Sequence, residues 1–109
     1  MSRPNPRFRR EVNKLYRTGR IFRGRLMHVR VADSNLNQTL IAVRRKYGGA
    51  VRRNRARRRI RAICKEFLPN GHPGRLLLIS LSDRSDGAGF VALKSDVRSA
   101  LTDLGLLDS

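Results

Sequence analysis

The chain has 109 residues, with 25 Lys and Arg against 8 Asp and Glu, a formal net charge of +17 and a pI of about 11.9. That length suits one domain with a single modest core. A lone cysteine, Cys64, excludes an intrachain disulfide, and no Cys/His spacing suits a metal. No apolar run reaches transmembrane length, and the basic N-terminus lacks the apolar stretch of a secretory signal. A bacterial-type cytoplasm is the expected setting, with no membrane partner.

The charge is concentrated. Residues 1–65 carry 21 Lys and Arg against two acids, Glu11 and Asp33; residues 66–109 carry four against six. Lysines are few (Lys14, Lys46, Lys65 and Lys94), so most of the cation is guanidinium. Arginine grips phosphate bidentately and stacks on bases, which suits structured RNA. A merely solvated cationic surface is the plainer alternative. Like charges this dense repel one another unless a partner neutralises them, which favours a polyanion.

Residues 1–6, with two prolines, read as a loose arm. Arg7 to Thr18 reads as a helix: Phe8, Val12, Leu15 and Tyr16 recur at helical spacing, and Gly19 is placed to end it. From Arg25 the period changes to two. Met27, Val29 and Val31 form a buried set, alternating with Leu26, His28 and Arg30 on a more polar face. Asp33, Ser34, Asn35 and Asn37 mark a turn. Gln38 to Lys46 is the next strand, and Gly48-Gly49 breaks it.

A long helix follows from Ala50 to Leu68. Ala56, Ile60, Ile63, Cys64 and Phe67 line an apolar face. Asn54, Arg58, Arg61 and Lys65 form a cationic stripe opposite, flanked by Arg55 and Arg57. Arg53 lies seven residues before Ile60, on the apolar side. Either its guanidinium reaches past the helix end or the first turn is not helical. Cys64 within this periodicity reads as a small buried hydrophobe rather than a nucleophile. Residues 69–74, rich in Pro and Gly, stop the helix. Leu76 to Leu81 is a continuous apolar run, read as a central strand buried on both faces. Asp83 to Gly89 is a loop. Phe90 to Leu104 is an amphipathic helix with Phe90, Leu93, Val97, Ala100, Leu101 and Leu104 inward. The fold class is α+β: one mixed sheet of about four strands with helices packed on it, in helix-strands-helix-strand-helix order.

No catalytic constellation stands out. A protein nuclease needs paired carboxylates for metal, or a partnered histidine for proton transfer. The acids are scattered, Asp83 and Asp86 sit together as turn formers, and His28 and His72 have no triad partner. Gly48-Gly49 before a helix lacks the Walker spacing. The natural reading is a binding protein whose ligand is RNA.

The segment Lys46-Tyr47-Gly48-Gly49-Ala50-Val51-Arg52-Arg53-Asn54-Arg55-Ala56-Arg57-Arg58-Arg59-Ile60-Arg61 resembles the signature of the bacterial ribonuclease P protein subunit family. Arg53-Asn54-Arg55, Arg57-Arg58 and Arg61 match that motif position by position. The first helix closed by Gly19, the strand at Leu76–Leu81 and the final helix ending Leu104-Gly105-Leu106-Leu107 agree as well. The chain departs from the pattern at Gly49, where Asn is usual, at the extra cations Arg44 and Arg45, and at Cys64, where an aromatic is common. Ser82-Asp83-Arg84-Ser85-Asp86 replaces a basic segment.

The resemblance implies a left-handed crossover between parallel strands, an exception to the usual hand. It implies that a catalytic RNA subunit cleaves the 5′ leader from precursor tRNA, with magnesium held mainly by that RNA, and that the protein alone is not catalytic. Arg45, Lys46, Arg53, Asn54, Arg55, Arg57, Arg58, Arg61 and Lys65 would bind the catalytic RNA. Val12, Tyr16, His28 and Arg30 would line a cleft for the leader, Val12 and Tyr16 standing where the family has aromatics. By its spacing Tyr16 could equally be core, and His28 merely solvated. No obligate protein partner is evident. A ribosomal protein or other structural RNA-binding module would explain the same charge and fold class; a stand-alone nuclease would need the missing carboxylate pair.

Overall fold

The computed structural model describes residues 6–85 and 87–107. The elements are α1 (Pro6–Thr18), β1 (Arg20–Arg23), β2 (Met27–Asp33), β3 (Gln38–Val43), α2 (Ala50–Phe67), β4 (Arg75–Leu81) and α3 (Phe90–Asp103), with short 3-10 turns at Arg45–Tyr47 and Asp83–Ser85. The expected α+β class and element order stand. Of the expected N-terminal arm, residues 1–5 lie outside the described residues. Pro6 instead opens α1, where its fixed φ and missing N–H cost nothing.

The strands form one sheet in the order β1-β2-β4-β3. β4 runs antiparallel to β2 and parallel to β3, so α2 is the crossover between adjacent parallel strands. β4 is central and buried on both faces, as its unbroken apolar run predicts. Leu77, Ile79 and Leu81 join the larger core with Met27, Val29, Val31, Ile60, Ile63, Val97 and Leu101. Leu76 and Leu78 join Leu15 of α1 in a smaller one. Each fully buried side chain of this size stabilises the fold by about 1.5–3 kcal/mol, so β4 anchors both layers. α2 and α3 cover one face of the sheet, and α1 covers part of the other.

Five local expectations change. β1 is a strand that its own residues do not announce. Arg20-Ile21-Phe22-Arg23 pairs with Val31 to His28 and gains its conformation from that ladder. β3 ends at Val43, and Arg45–Tyr47 turn towards α2. Leu26 lies in the larger core rather than on the polar face, because it precedes the strand and its alternation. Arg53 is helical, which discards the alternative of a non-helical first turn. Phe90 is 45% exposed. It occupies the first position of α3, where no preceding turn closes over the ring.

Two glycines explain how the chain enters and leaves its helices. A Cβ on Gly19 would lie 2.4 Å from the carbonyl oxygen of Leu15, so only glycine lets α1 turn straight into β1. Gly48 has φ +148°, open to glycine alone. Gly49, the N-cap of α2, has ordinary extended angles, open space around its missing Cβ and no side chain to cap the helix. Gly49→Asn is therefore expected to stabilise the protein by roughly 0.5–1 kcal/mol, through capping and a less flexible unfolded chain. Thermal melting checks it: the midpoint should rise by a few degrees.

Candidate nucleic-acid interface

The cationic stripe on α2 exists as a surface. Ala56, Ile60, Ile63 and Cys64 are buried against the sheet, which turns Asn54, Arg58, Arg61 and Lys65 outward, all exposed. Arg55 is exposed and Arg57 half-buried, with its Nη1 donating to Asn54 Oδ1 at 3.1 Å. The helix contains one acid, Glu66, and its carboxylate accepts from Lys94 of α3. No carboxylate of α2 thus remains to offset the outer cations. Arg45 and Lys46 stand exposed on the 3-10 turn that leads into the helix. At the far end, Arg61 and Lys65 border a groove of about 330 Å³ with Asn37, Thr39 and His72, which carries the basic surface over the β3 edge.

Two α2 residues behave differently from the stripe. Arg53 is half-buried, and its Nε is enclosed with no hydrogen-bond partner among the described residues. A buried donor left unpaired costs about 1–3 kcal/mol, which an acceptor would recover. Cys64 is buried, and desolvation pushes its thiol up to about 11. It stays protonated at neutral pH and acts as packing, as the sequence suggests.

The second surface lies across the sheet. Tyr16 is 55% exposed, so its ring is not core. The Arg30 guanidinium stands 4.7 Å from the ring centroid, a cation–π contact that ties α1 to β2. His28 lies two residues along β2 on the same face, opposite Arg23 and Ser80. Its side chain is exposed. Val12 is the exception: it is half-buried and packs against the smaller core. The structure brings Tyr16 and Arg30 together and sets His28 beyond them. Beyond the end of α1 the sheet face is open. There a groove of about 420 Å³ is lined by Arg25, His28, Arg44, Ser80 and Asp83. Arg25 and Arg44 join His28 in this groove and are absent from the contacts expected from sequence. Arg44 was visible as an extra cation at a strand end; Arg25 had no signal beyond its charge.

Among the described residues no three metal-ligating side chains converge, and no helix is long and apolar enough to cross a membrane.

A basic crossover helix between parallel strands, on a sheet whose other face is half-open beneath a short N-terminal helix, defines a class of small cationic α+β proteins. Within that class the match is specific. The family model for ribonuclease P covers residues 7–105, and the chain belongs to the ribonuclease P protein family. It is 37% identical over 92 residues to the ribonuclease P protein component of Thermus aquaticus, covering 84% of this chain and 54% of that protein. With the corresponding protein of Beutenbergia cavernae it shares 39% identity over 64 residues, 59% of this chain and 54% of that one. The chain thus spans about half the length of the curated relatives it matches. The fold is that of the Staphylococcus aureus RNase P protein, with a TM-score of 0.78 at 16% identity over 99% of this chain and 96% of that one. The Thermotoga maritima RNase P protein superposes with a TM-score of 0.72 at 19% identity, over 98% and 100%.

Proposed function

We propose that this protein is the RNA-binding subunit of a ribonuclease P ribonucleoprotein. It holds the catalytic RNA on α2 and the 5′ leader of precursor tRNA in the α1–β2 cleft, while the RNA performs the endonucleolytic cleavage. The observation that carries the reading is the outer face of α2: Asn54, Arg58, Arg61 and Lys65 all exposed on a helix whose one acid is neutralised from α3, in a chain of this family. Phosphates of a folded RNA would neutralise the mutual repulsion of these cations, with Arg45, Lys46, Arg55 and Arg57 at the flanks. Arg53 offers a donor that a phosphate oxygen could take up. Magnesium is assigned to the RNA, where phosphates supply hard oxygen ligands. The protein's part is to neutralise charge and position the leader.

Reconstitution tests this. RNA-free protein should leave precursor tRNA intact. Combined with a bacterial ribonuclease P RNA, it should lower the magnesium concentration needed for cleavage at the mature 5′ end. Cleavage by protein stripped of all RNA would overturn the division of labour, and an unchanged magnesium requirement would remove the subunit role.

A further inference from the structure

α2 presents a third row of cations, of which only Arg55 borders the outer stripe already described. Arg52, Arg55 and Arg59 recur at i, i+3 and i+7 and face α3 rather than the Arg58–Lys65 stripe. Between α2 and the start of α3 they line a groove of about 590 Å³, together with Tyr47 and Phe90. The described lining residues include no carboxylate. Gly89 forms part of the wall, and nothing lies within 4 Å of where its Cβ would be, so the groove is open to backbone approach. Phe90 is 45% exposed at this mouth, and its neighbour Val91 is 80% exposed. An aromatic ring left in water loses the stabilisation it would gain by burial. Its placement beside a row of guanidiniums calls for a ligand that is both anionic and flat.

We propose that this groove binds an unpaired stretch of RNA, with phosphates on Arg55 and Arg59 and one base stacked on Phe90. Arg52, whose side chain packs over Gly48, also lines the groove. The ligand chemistry follows from the lining. Guanidiniums recognise phosphate by paired hydrogen bonds, and an exposed aromatic offers a sequence-tolerant stacking platform. A duplex, whose bases are already stacked, could use the arginines but not the ring. The inference rests on the reading of this chain as an RNA binder and adds a site separate from the leader cleft.

The test uses the full protein and a fluorescein-labelled, unstructured ten-nucleotide RNA of mixed sequence, read by anisotropy across a salt series. The Tyr16→Ala/Arg30→Ala background removes the cleft. In that background Phe90→Ala should weaken binding roughly tenfold with the salt dependence unchanged, while Phe90→Trp should restore it. Arg55→Gln/Arg59→Gln should make the salt slope shallower by about 1.4, from about 0.7 per phosphate contact on a single strand. A photoreactive benzophenone residue at position 91 should cross-link to the oligonucleotide. If the wild-type protein binds this RNA but the Phe90 and arginine variants bind as the Tyr16→Ala/Arg30→Ala protein does, and position 91 gives no cross-link, the groove proposal falls and the RNA-binding reading stands. If the wild-type protein binds neither this RNA nor a ribonuclease P RNA, both fall. Arg55, Arg59 and Phe90 are exposed, so melting temperatures should match that of the Tyr16→Ala/Arg30→Ala protein. A drop of many degrees in Phe90→Ala would make the ring structural and overturn the stacking role.

Discussion

Replacing Arg58, Arg61 and Lys65 together by alanine is expected to weaken binding to a bacterial ribonuclease P RNA by several hundredfold. Each side chain is exposed, makes no ion pair among the described residues, and projects from the face of α2 opposite the core. A charge-assisted contact to phosphate is worth on the order of 1.5 kcal/mol, so three lost contacts approach about 3–4 kcal/mol allowing for non-additivity. The same variant should make the dependence of log affinity on log salt shallower by about two to three units, because three fewer counterions are released. Folding should be unaffected, since alanine favours helix and relieves repulsion between Arg58, Arg61 and Lys65. Arg53→Ala should separate from this pattern. Its half-buried side chain contributes packing but also the unpaired Nε, so alanine should lower affinity while these opposing effects leave the melting temperature little changed. If the triple variant keeps wild-type affinity and salt slope, α2 is not the RNA face.

What the sequence made legible follows from which interactions are local. α2 was readable because its periodicity, its glycine break and its charge all report on the same eighteen residues. The central place of β4 was readable because a strand buried on both faces has no polar alternation to hide. β1 was not. Arg20-Ile21-Phe22-Arg23 has too few residues and too much charge to declare a strand, and only the ladder to β2 makes it one. The sheet face beneath α1 was half legible. Strand parity put His28 and Arg30 on one face, but helical spacing could not say whether Tyr16 belonged to the core. That depended on how α1 lies across the sheet, with Leu15 and Val12 taking the buried positions and leaving the tyrosine outside. The groove of Arg52, Arg55, Arg59 and Phe90 was invisible for the same reason. It is made where two helices distant in sequence meet, and no periodicity within either one records the other.

Tyr16→Ala is expected to lower the affinity for precursor tRNA by about tenfold and leave the affinity for mature tRNA unchanged, both measured in the reconstituted complex. The Arg30 guanidinium covers one face of the Tyr16 ring at 4.7 Å, and the tyrosine is more than half exposed, so a leader base held there as proposed would stack on the ring's other face. Such a stack is worth about 1–3 kcal/mol. Mature tRNA has no leader and loses nothing. Tyr16→Phe keeps the ring and should behave as wild type. Arg30→Ala removes both the cation over the ring and a charge beside the leader's phosphates, so it should lower the same ratio and make the salt dependence of precursor binding shallower. Arg30→Lys keeps the charge but not the planar contact, and should recover the salt dependence more fully than the affinity. The alternative is that the Tyr16–Arg30 pair only fastens α1 to the sheet. An exposed cation–π contact stabilises by about 0.5–1 kcal/mol, so its loss would lower the melting temperature by several degrees and weaken both tRNAs together. The ratio of precursor to mature affinity, measured on protein shown by thermal melting to be folded, separates the two. A ratio that stays at the wild-type value in both Tyr16→Ala and Arg30→Ala would leave the open sheet face without a role in holding the leader.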